Sequence, residues 1–574
     1  MTADAAWWFP KKHRVVEGFI RKHYMLKNKL IPCALLAISH SVFAQQLPTA
    51  GGQMQQIPPT PVAPKVAPKV TVAPGDAAAP SERDAGMKIV VARLDITGSQ
   101  LYSASTLLQE SGFVAGSELS LADLRAMAAK IAAFYHRNGY FLAQAFLPAQ
   151  DIKDGVVTIA VLDGRYGNIA LRNTSGVRDS LANDLLDGLH TGDIVAVAPL
   201  EHRLLLLSDL PGVQVKSALV PGQSVGASDL IVDLVPGQRV SGSVDADNAG
   251  NRYTGRGRVG ATVNLNELAG QGDVATLRVL TSGSGLKYAR LSYQLQIGKV
   301  KAGVAYSALD YELGREFAPL GANGTAKIAS VYANYPLIRS RNTNLYAQVN
   351  FDSKRFEDNV DVTQSTSDKT ARVVSGALYG DHRDNLGGGG LNNFALTWST
   401  GEIDLQTPSL RAFDAASAGS NGHYNKLAYS ASRLQNVTDT VSLYASVNGQ
   451  VASKNLDVSE KMELGGMYGV RAYPEGEAYA DQGYVLTLEA RMALTAPLQL
   501  IGFVDHGSVT TNKNAWTTGA NERRLSAAGV GLSWADPVNG VGVKAYYARK
   551  LGNADALSAP DTAGRFWVQA VKYF

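Results

Sequence analysis

The chain has 574 residues and a formal net charge of +4 from 54 Lys+Arg and 50 Asp+Glu, so its charge demands no nucleic-acid partner. A mean hydropathy of −0.07 excludes a bundle of transmembrane helices, each of which needs roughly 20 consecutive apolar residues. A membrane barrel is not excluded, because only alternate side chains of its strands face lipid. The single cysteine, Cys33, excludes an intrachain disulfide and a cysteine metal site.

Residues 1–44 read as a signal region. Translation from Met25 gives a basic stretch with Lys27 and Lys29, then the apolar run Leu30–Phe43, and cleavage is expected after Ala44. Residues 45–86 are rich in Pro, Ala, Gln and Val, a composition that cannot bury a core and reads as an extended segment and linker.

A first α+β unit is expected over 87–164. Ile89–Val91 and Leu94–Ile96 read as one strand ending at Gly98. Ser120-Leu121-Ala122-Asp123 has the pattern of a capping box, and Leu121, Leu124, Ala128, Ile131, Ala132 and Tyr135 give the helix an apolar face. Asn138-Gly139 ends it, and the strand-like runs Phe141–Leu147 and Val156–Leu162 flank a turn at Asp154-Gly155. A second unit, 165–236, repeats the mixture, with helices over Asp179–Leu189 and Pro199–Asp209 and strands over Val213–Val220 and Leu230–Val235.

From 237 to 574 the helical period disappears and short alternating runs recur between Gly, Asn, Asp and Ser. They amount to about 14 to 16 strands, many near the ~10 residues that a tilted membrane strand needs. The clearest alternation sets Leu345, Ala347, Val349 and Phe351 on one face and Tyr346, Gln348 and Asn350 on the other. The last run ends on Phe574, where a strand can pair with the first and remove both edges of the sheet. The expected fold is therefore mainly β, with a C-terminal transmembrane antiparallel barrel of about 16 strands.

Two motifs are decoys. Gly255–Gly260 matches GxGxxG but runs into a strand where a nucleotide site needs a helix. Gly222–Gly226 matches GxSxG but lies between two strands, so no catalytic residue is assigned. The nine histidines show no metal-binding spacing, and neither metal nor cofactor is expected. A different signal comes from the long segment at about 465–483, where Arg471 sits among Val470, Ala472 and Tyr473. An Arg in apolar company needs an acidic partner if the segment folds into the lumen, and Asp505 in Phe503–Gly507 is the candidate.

These residues resemble those of two-partner secretion transporters, the exporters of hemolysins and filamentous hemagglutinins (the ShlB/FhaC/HecB, or TpsB, group). Tyr135-His136-Arg137-Asn138-Gly139-Tyr140, Phe146-Leu147-Pro148-Ala149-Gln150 and Leu162-Asp163-Gly164 resemble the family's first periplasmic POTRA domain. Asp247–Gly255 resembles its first barrel hairpin, Val470–Tyr473 its lumenal-loop signature, and Phe503–Gly507 the facing strand motif. The resemblance implies two periplasmic POTRA domains, a 16-stranded outer-membrane barrel, and an N-terminal plug helix. It implies that Arg471 pairs with Asp505 near Gly507, and that Tyr135, Gly139, Tyr140, Pro148 and Gln150 serve substrate recognition. The implied partners are a secreted TpsA-type exoprotein (a hemolysin, adhesin or contact-inhibition toxin), outer-membrane lipid and periplasmic chaperones. A barrel-assembly insertase and a passive porin are the alternatives. Ala472 stands where the loop signature often has Gly, and Gly51-Gly52 costs roughly 2 kcal/mol of helix propensity, which argues against a stable plug helix.

Overall fold

The computed structural model describes residues 47–62, 70–72 and 88–574, so the expected signal region 1–44 lies outside the described residues. A short helix α1 (Ala50–Gln55) opens the described chain, followed by an isolated strand β1 (Val70–Val72). The Gly51-Gly52 pair does not prevent the helix. Its glycines sit where any side chain would collide, with a Cβ on Gly51 only 2.6 Å from Ser459 Cβ and one on Gly52 3.2 Å from the Tyr479 hydroxyl. Close packing outweighs the propensity cost.

The first small domain holds β2 (Lys88–Val91), β3 (Arg93–Thr97), α2 (Ala104–Ser111), β4 (Ser117–Ser120), α3 (Leu121–Arg137), β5 (Gln144–Phe146) and β6 (Val156–Leu162). The stretch expected as one strand breaks at Ala92, because both Ala92 N–H and Arg93 N–H donate to the Gly155 carbonyl. β2 then pairs with β4, and β3 with β6, in separate sheets. Helix α3 begins with the expected capping box: Ser120 Oγ accepts from Asp123 N–H, and the Asp123 carboxylate accepts from Ser120 N–H. Its face Leu124, Ala128, Ile131 and Tyr135 packs into the domain core. The run expected as a strand over Phe141–Leu147 shrinks to β5, because Tyr140 and Ala143 are spent on turn hydrogen bonds at the end of α3.

The second domain comprises β7 (Arg165–Asn173), α4 (Asp179–Leu186), α5 (Val197–Ser208), β8 (Val213–Pro221) and β9 (Ala227–Pro236). Leucines of α4 and α5 pack on one face of a sheet ordered β1-β8-β9-β7.

Among the described residues, sixteen antiparallel strands, β10 (Val240–Asp247) to β25 (Gly564–Tyr573), form one closed barrel with neighbours in sequence order. β25 meets β10 from Ser243↔Tyr573 to Asp247↔Gln569, and Gly242 and Phe574 exchange both backbone hydrogen bonds. Closure leaves no unpaired strand edge toward lipid. The outer face carries the expected apolar residues: Val349 and Phe351 of β16 (Thr343–Val360) are exposed there, as are Leu396, Trp398, Val530 and Leu532. Inward-facing positions carry polar residues, among them the buried Arg278–Asp245 pair and the stacked rings of Tyr346 and Tyr379.

The second domain packs on the short-turn end of the barrel. Asp209, just after α5, takes both Nε and Nη2 of Arg339 at 2.8 and 2.9 Å. Beside this contact, Glu267 in the turn after β11 (Arg258–Asn266) is buried against the Gly212 backbone. Burial, and secondarily the charge of Asp273, push the Glu267 carboxyl up to about 7. The folded chain therefore favours a neutral Glu267, while the unfolded chain ionises it near its ordinary value of 4.5. Stability falls as pH rises from about 4.5 to 7, and the loss is complete above that range. Glu267→Gln is expected to raise the melting temperature at pH 8 and to give no gain at pH 4, measured by heat-modified gel migration in detergent.

Candidate functional site

The longest connection in the barrel, residues 453–481, joins β20 (Val441–Ala452) to β21 (Gln482–Ala493) at the end away from the small domains. It folds inward instead of leaving the barrel. Leu464, Val470, Ala472, Tyr473 and Ala480 are buried in a core shared with β21, β22 (Leu498–Thr510) and later strands. Alternation on β22 turns Ile501, Phe503, Asp505, Gly507 and Val509 inward, while Leu500 and Val504 face out. The register pairs Thr487 with Asp505 and Glu489 with Phe503, so the inward residues of β21 join the same patch.

Arg471 is the centre of this patch. Its Nε and Nη2 each donate to the Asp505 carboxylate at 2.8 Å, and its backbone N–H donates to the same group at 3.1 Å. Nη1 donates to Glu489 Oε1 at 2.9 Å. The guanidinium carbon lies 3.4 Å from the centre of the Phe503 ring, with Tyr546 on another side at 5.0 Å. The side chains of Arg471, Asp505 and Glu489 are 5%, 0% and 5% exposed. An unpaired guanidinium in such a place would be strongly unfavourable, and the two-carboxylate cradle with its aromatic floor offsets the lost hydration. Arg491 bonds the other Glu489 oxygen at 2.9 Å, which balances the second carboxylate. Thr487 Oγ1 donates to Asp505, and Trp567 Nε1 of the closing strand donates to the Arg471 carbonyl at 2.6 Å. Gly507 leaves room for the loop, since a Cβ there would lie 2.2 Å from Leu464.

Second anchors hold the rest of the loop. The buried Glu477 accepts from Leu557 N–H, Ser558 N–H and Ser558 Oγ in the last long loop and pairs with Arg523. The Tyr473 hydroxyl donates to the Ala554 carbonyl at 3.0 Å. Helix α1 lies between this loop and the barrel wall. Gln55 Nε2 donates to the Val458 carbonyl, Gln56 Nε2 to the Tyr479 hydroxyl, and Thr254 Oγ1 to Gln53 Oε1. Asp358 accepts from Ala50 N–H at 2.7 Å, and Arg258 Nη1 donates to the Gln56 carbonyl at 2.8 Å.

The structure thus brings Val470, Arg471, Ala472, Tyr473, Asp505 and Gly507 together. Glu489 and Trp567 belong to the same cluster and were not anticipated, while Phe503, from the expected facing strand motif, forms its aromatic floor. The signal for Glu489 was present, because outward Tyr484, Leu488 and Met492 set the phase of β21 and leave the acid on the inner face.

The five positions in the first domain are held in different ways. Tyr135 is fully buried and its hydroxyl bonds Asp163 and Ser99. Tyr140 stacks edge-on with Tyr102 and Tyr135. Gly139 adopts φ +89° after α3, and its carbonyl accepts from Val197 at the start of α5, which ties the two domains together. The Gln150 amide bonds both backbone groups of Thr158 on β6 and also the Pro148 carbonyl. A fully buried Tyr135 cannot touch a docking partner, and Gln150 is already engaged by the strand it would offer.

Residues 226–534 match the family model described as haemolysin secretion/activation protein ShlB/FhaC/HecB, and residues 89–164 match the ShlB-type POTRA domain. The heme/hemopexin transporter protein HuxB of Haemophilus influenzae is 31% identical over 80% of this chain and 82% of its own length. The outer membrane transporter CdiB of Dickeya dadantii is 24% identical over 61% of this chain and 62% of its own. Among solved structures, CdiB from Escherichia coli superposes with a TM-score of 0.63 at 19% identity, covering 87% of this chain and 93% of that one. BamA from Haemophilus ducreyi lacking POTRA domains 1–3 gives 0.53 at 15% identity, covering 85% and 100%.

Breaking the buried Arg471 cluster from either side is expected to cost on the order of 3–5 kcal/mol of loop seating. Arg471→Ala and Asp505→Ala should each make residues 453–481 sensitive to protease in folded barrels. The double variant should add little to either, as limited proteolysis in detergent will measure.

Proposed function

The chain belongs to the ShlB/FhaC/HecB haemolysin secretion/activation family, and from that premise we propose how its parts move a secreted partner. It is an outer-membrane transporter of the two-partner secretion type, with its POTRA domains in the periplasm. An unfolded TpsA-type exoprotein docks on the POTRA domains, threads through the barrel and folds outside. Folding at the surface supplies the direction of transport, and the chain itself performs no catalytic step. A cargo of the haem-related kind is favoured over a contact-inhibition toxin, because the similarity to the heme/hemopexin transporter is higher and longer than that to CdiB.

One observation carries this reading: the Arg471 loop and α1 both occupy the interior that a passing chain would need. A permanently filled barrel could not conduct a polypeptide, so both elements must shift. Arg471 is held by a dense local set of bonds that can break as a unit, which suits a two-position latch. The POTRA domains supply recognition by adding an extended strand to a sheet.

Arg471→Ala is expected to lower export of the partner at least tenfold while the barrel still reaches the outer membrane at wild-type amount. Surface immunoblotting of the exoprotein and heat-modified migration of the transporter measure the two quantities. Unchanged export would remove the loop from the mechanism. Deletion of 87–164 is expected to abolish export and leave a conducting channel in planar bilayers.

A further inference from the structure

The end of the barrel away from the small domains carries a cavity of about 460 Å³. It opens between the turn after β10, the turn 282–285 and the connection 313–321. None of the residues that line it belongs to the Arg471 cluster. β10 leaves the second domain and runs away from it, so the cavity lies on the cell-surface side of the barrel.

Its lining is basic. Arg252, Arg256 and Arg315 line it, against one acid, Glu312. Arg565, at the start of β25, is close enough to Arg252 and Arg256 to feel the charge of both. Like charges gathered in this way repel one another unless an anion answers them. The chain supplies only part of the answer. Glu316 pairs with Arg252. Glu477 and Asp561 also face Arg565, but each is committed elsewhere, to Arg523 and to Lys550. Among the described residues, the side chains of Arg256 and Arg315 make no hydrogen bond and no ion pair. Arg565 reaches only the Pro560 carbonyl, at 3.5 Å. The Nε atoms of Arg252 and Arg565 are buried with no acceptor. Arg315 also holds φ +60°, a left-handed conformation that is unfavourable for a residue with a Cβ. The four arginines outnumber Glu312 and Glu316 by two positive charges.

The height of the cavity narrows the choice of anion. Val259 is an outward, exposed residue of β11, and Arg256 follows it toward the surface by at most roughly 10 Å of chain. Phe566, outward and exposed on β25, is the immediate neighbour of Arg565. The arginines therefore stand where the apolar belt of the barrel ends, at the level of lipid headgroups. One guanidinium fork satisfies a carboxylate, whereas a phosphate monoester carries about −1.5 to −2 charges at pH 7 and offers three acceptor oxygens. Two uncompensated charges and several unused donors match the phosphate.

We propose that this cavity binds a phosphate group, carried by a phosphorylated glycolipid of the outer leaflet or by a dissolved phosphate. Arg252 and Arg256 follow the first barrel strand and Arg565 opens the last, so one bound phosphate joins the two ends of the ring.

The test uses labelled full-length transporter in detergent at about 150 mM salt, where screening weakens diffuse attraction. Binding is read by thermophoresis against diphosphoryl lipid A, the same lipid stripped of its phosphates, and inorganic phosphate. The wild type is expected to bind the phosphorylated lipid about tenfold more tightly than the stripped one, and Arg256→Gln combined with Arg315→Gln to abolish that difference. Arg355→Gln combined with Arg524→Gln removes the same charge elsewhere on the barrel and is expected to preserve it. Heat-modified migration confirms that each variant is folded, and the phosphorylated lipid is expected to raise the melting temperature of the wild type but not of the Arg256/Arg315 variant. Tight binding of inorganic phosphate that the Arg256/Arg315 variant loses, with both lipids bound alike, supports the site and assigns it to a dissolved anion. Equal affinity of the wild type and the Arg256/Arg315 variant for both phosphate probes, binding of neither probe, or an equal loss in the Arg355/Arg524 control overturns the proposal.

Discussion

A guanidinium buried inside a barrel must be held by charges that the barrel itself supplies. Arg471 meets that constraint with Asp505 and Glu489 on adjacent strands and with the Phe503 ring beneath it. The consequence runs through the surrounding structure. The loop must fold inward to bring Arg471 to the wall, Gly507 must lack a side chain to admit it, and Val470 and Tyr473 must pack tightly around it. Asp505 alone would satisfy the charge of Arg471. Glu489 adds a second contact and in turn requires Arg491, so four charged groups share one low-dielectric site. Such a cluster is stable when complete and costly when partly broken, which favours all-or-none movement.

The same economy of space governs α1. A six-residue helix is too short to be stable in water on its own. It persists because Asp358, Thr254, Arg258 and the inward loop each satisfy one of its polar groups, and because two glycines let it lie against Ser459 and Tyr479. Its stability is therefore borrowed from its surroundings. Once the loop moves, little keeps it helical.

Much of this was legible from residue order alone. The period-two alternation of Leu345–Phe351 and the strand ending at Phe574 carried the barrel, and Ser120–Asp123 carried the start of α3. Arg471 and Asp505 could be paired in advance, because a lone Arg among apolar residues requires an acid and one lay on a nearby strand. Other features depend on tertiary contacts that no local pattern encodes. The break between β2 and β3 follows from Gly155, far along the chain, capturing the amides of Ala92 and Arg93. Gly51-Gly52 reads locally as a helix breaker and becomes close packing only beside Ser459. The three residues of β1 lie in a segment whose composition suggests no sheet, and they pair because β8 offers an edge. Nor does residue order show that the side chains of Tyr135 and Gln150 are hydrogen-bonded inside their own domain.

Trp567 belongs to β25, the strand that closes the barrel, yet its indole bonds the carbonyl of Arg471 almost a hundred positions earlier. Trp567 is placed there by the pairing of β25 with β24 (Val541–Lys550), which sets it opposite Tyr546, another wall of the Arg471 site. The same strand goes on to meet β10 beyond that point, from residue 569 to 573. A single strand thus carries both the last bond to the inward loop and the seam of the ring, so a barrel assembled without β25 would lack the two together.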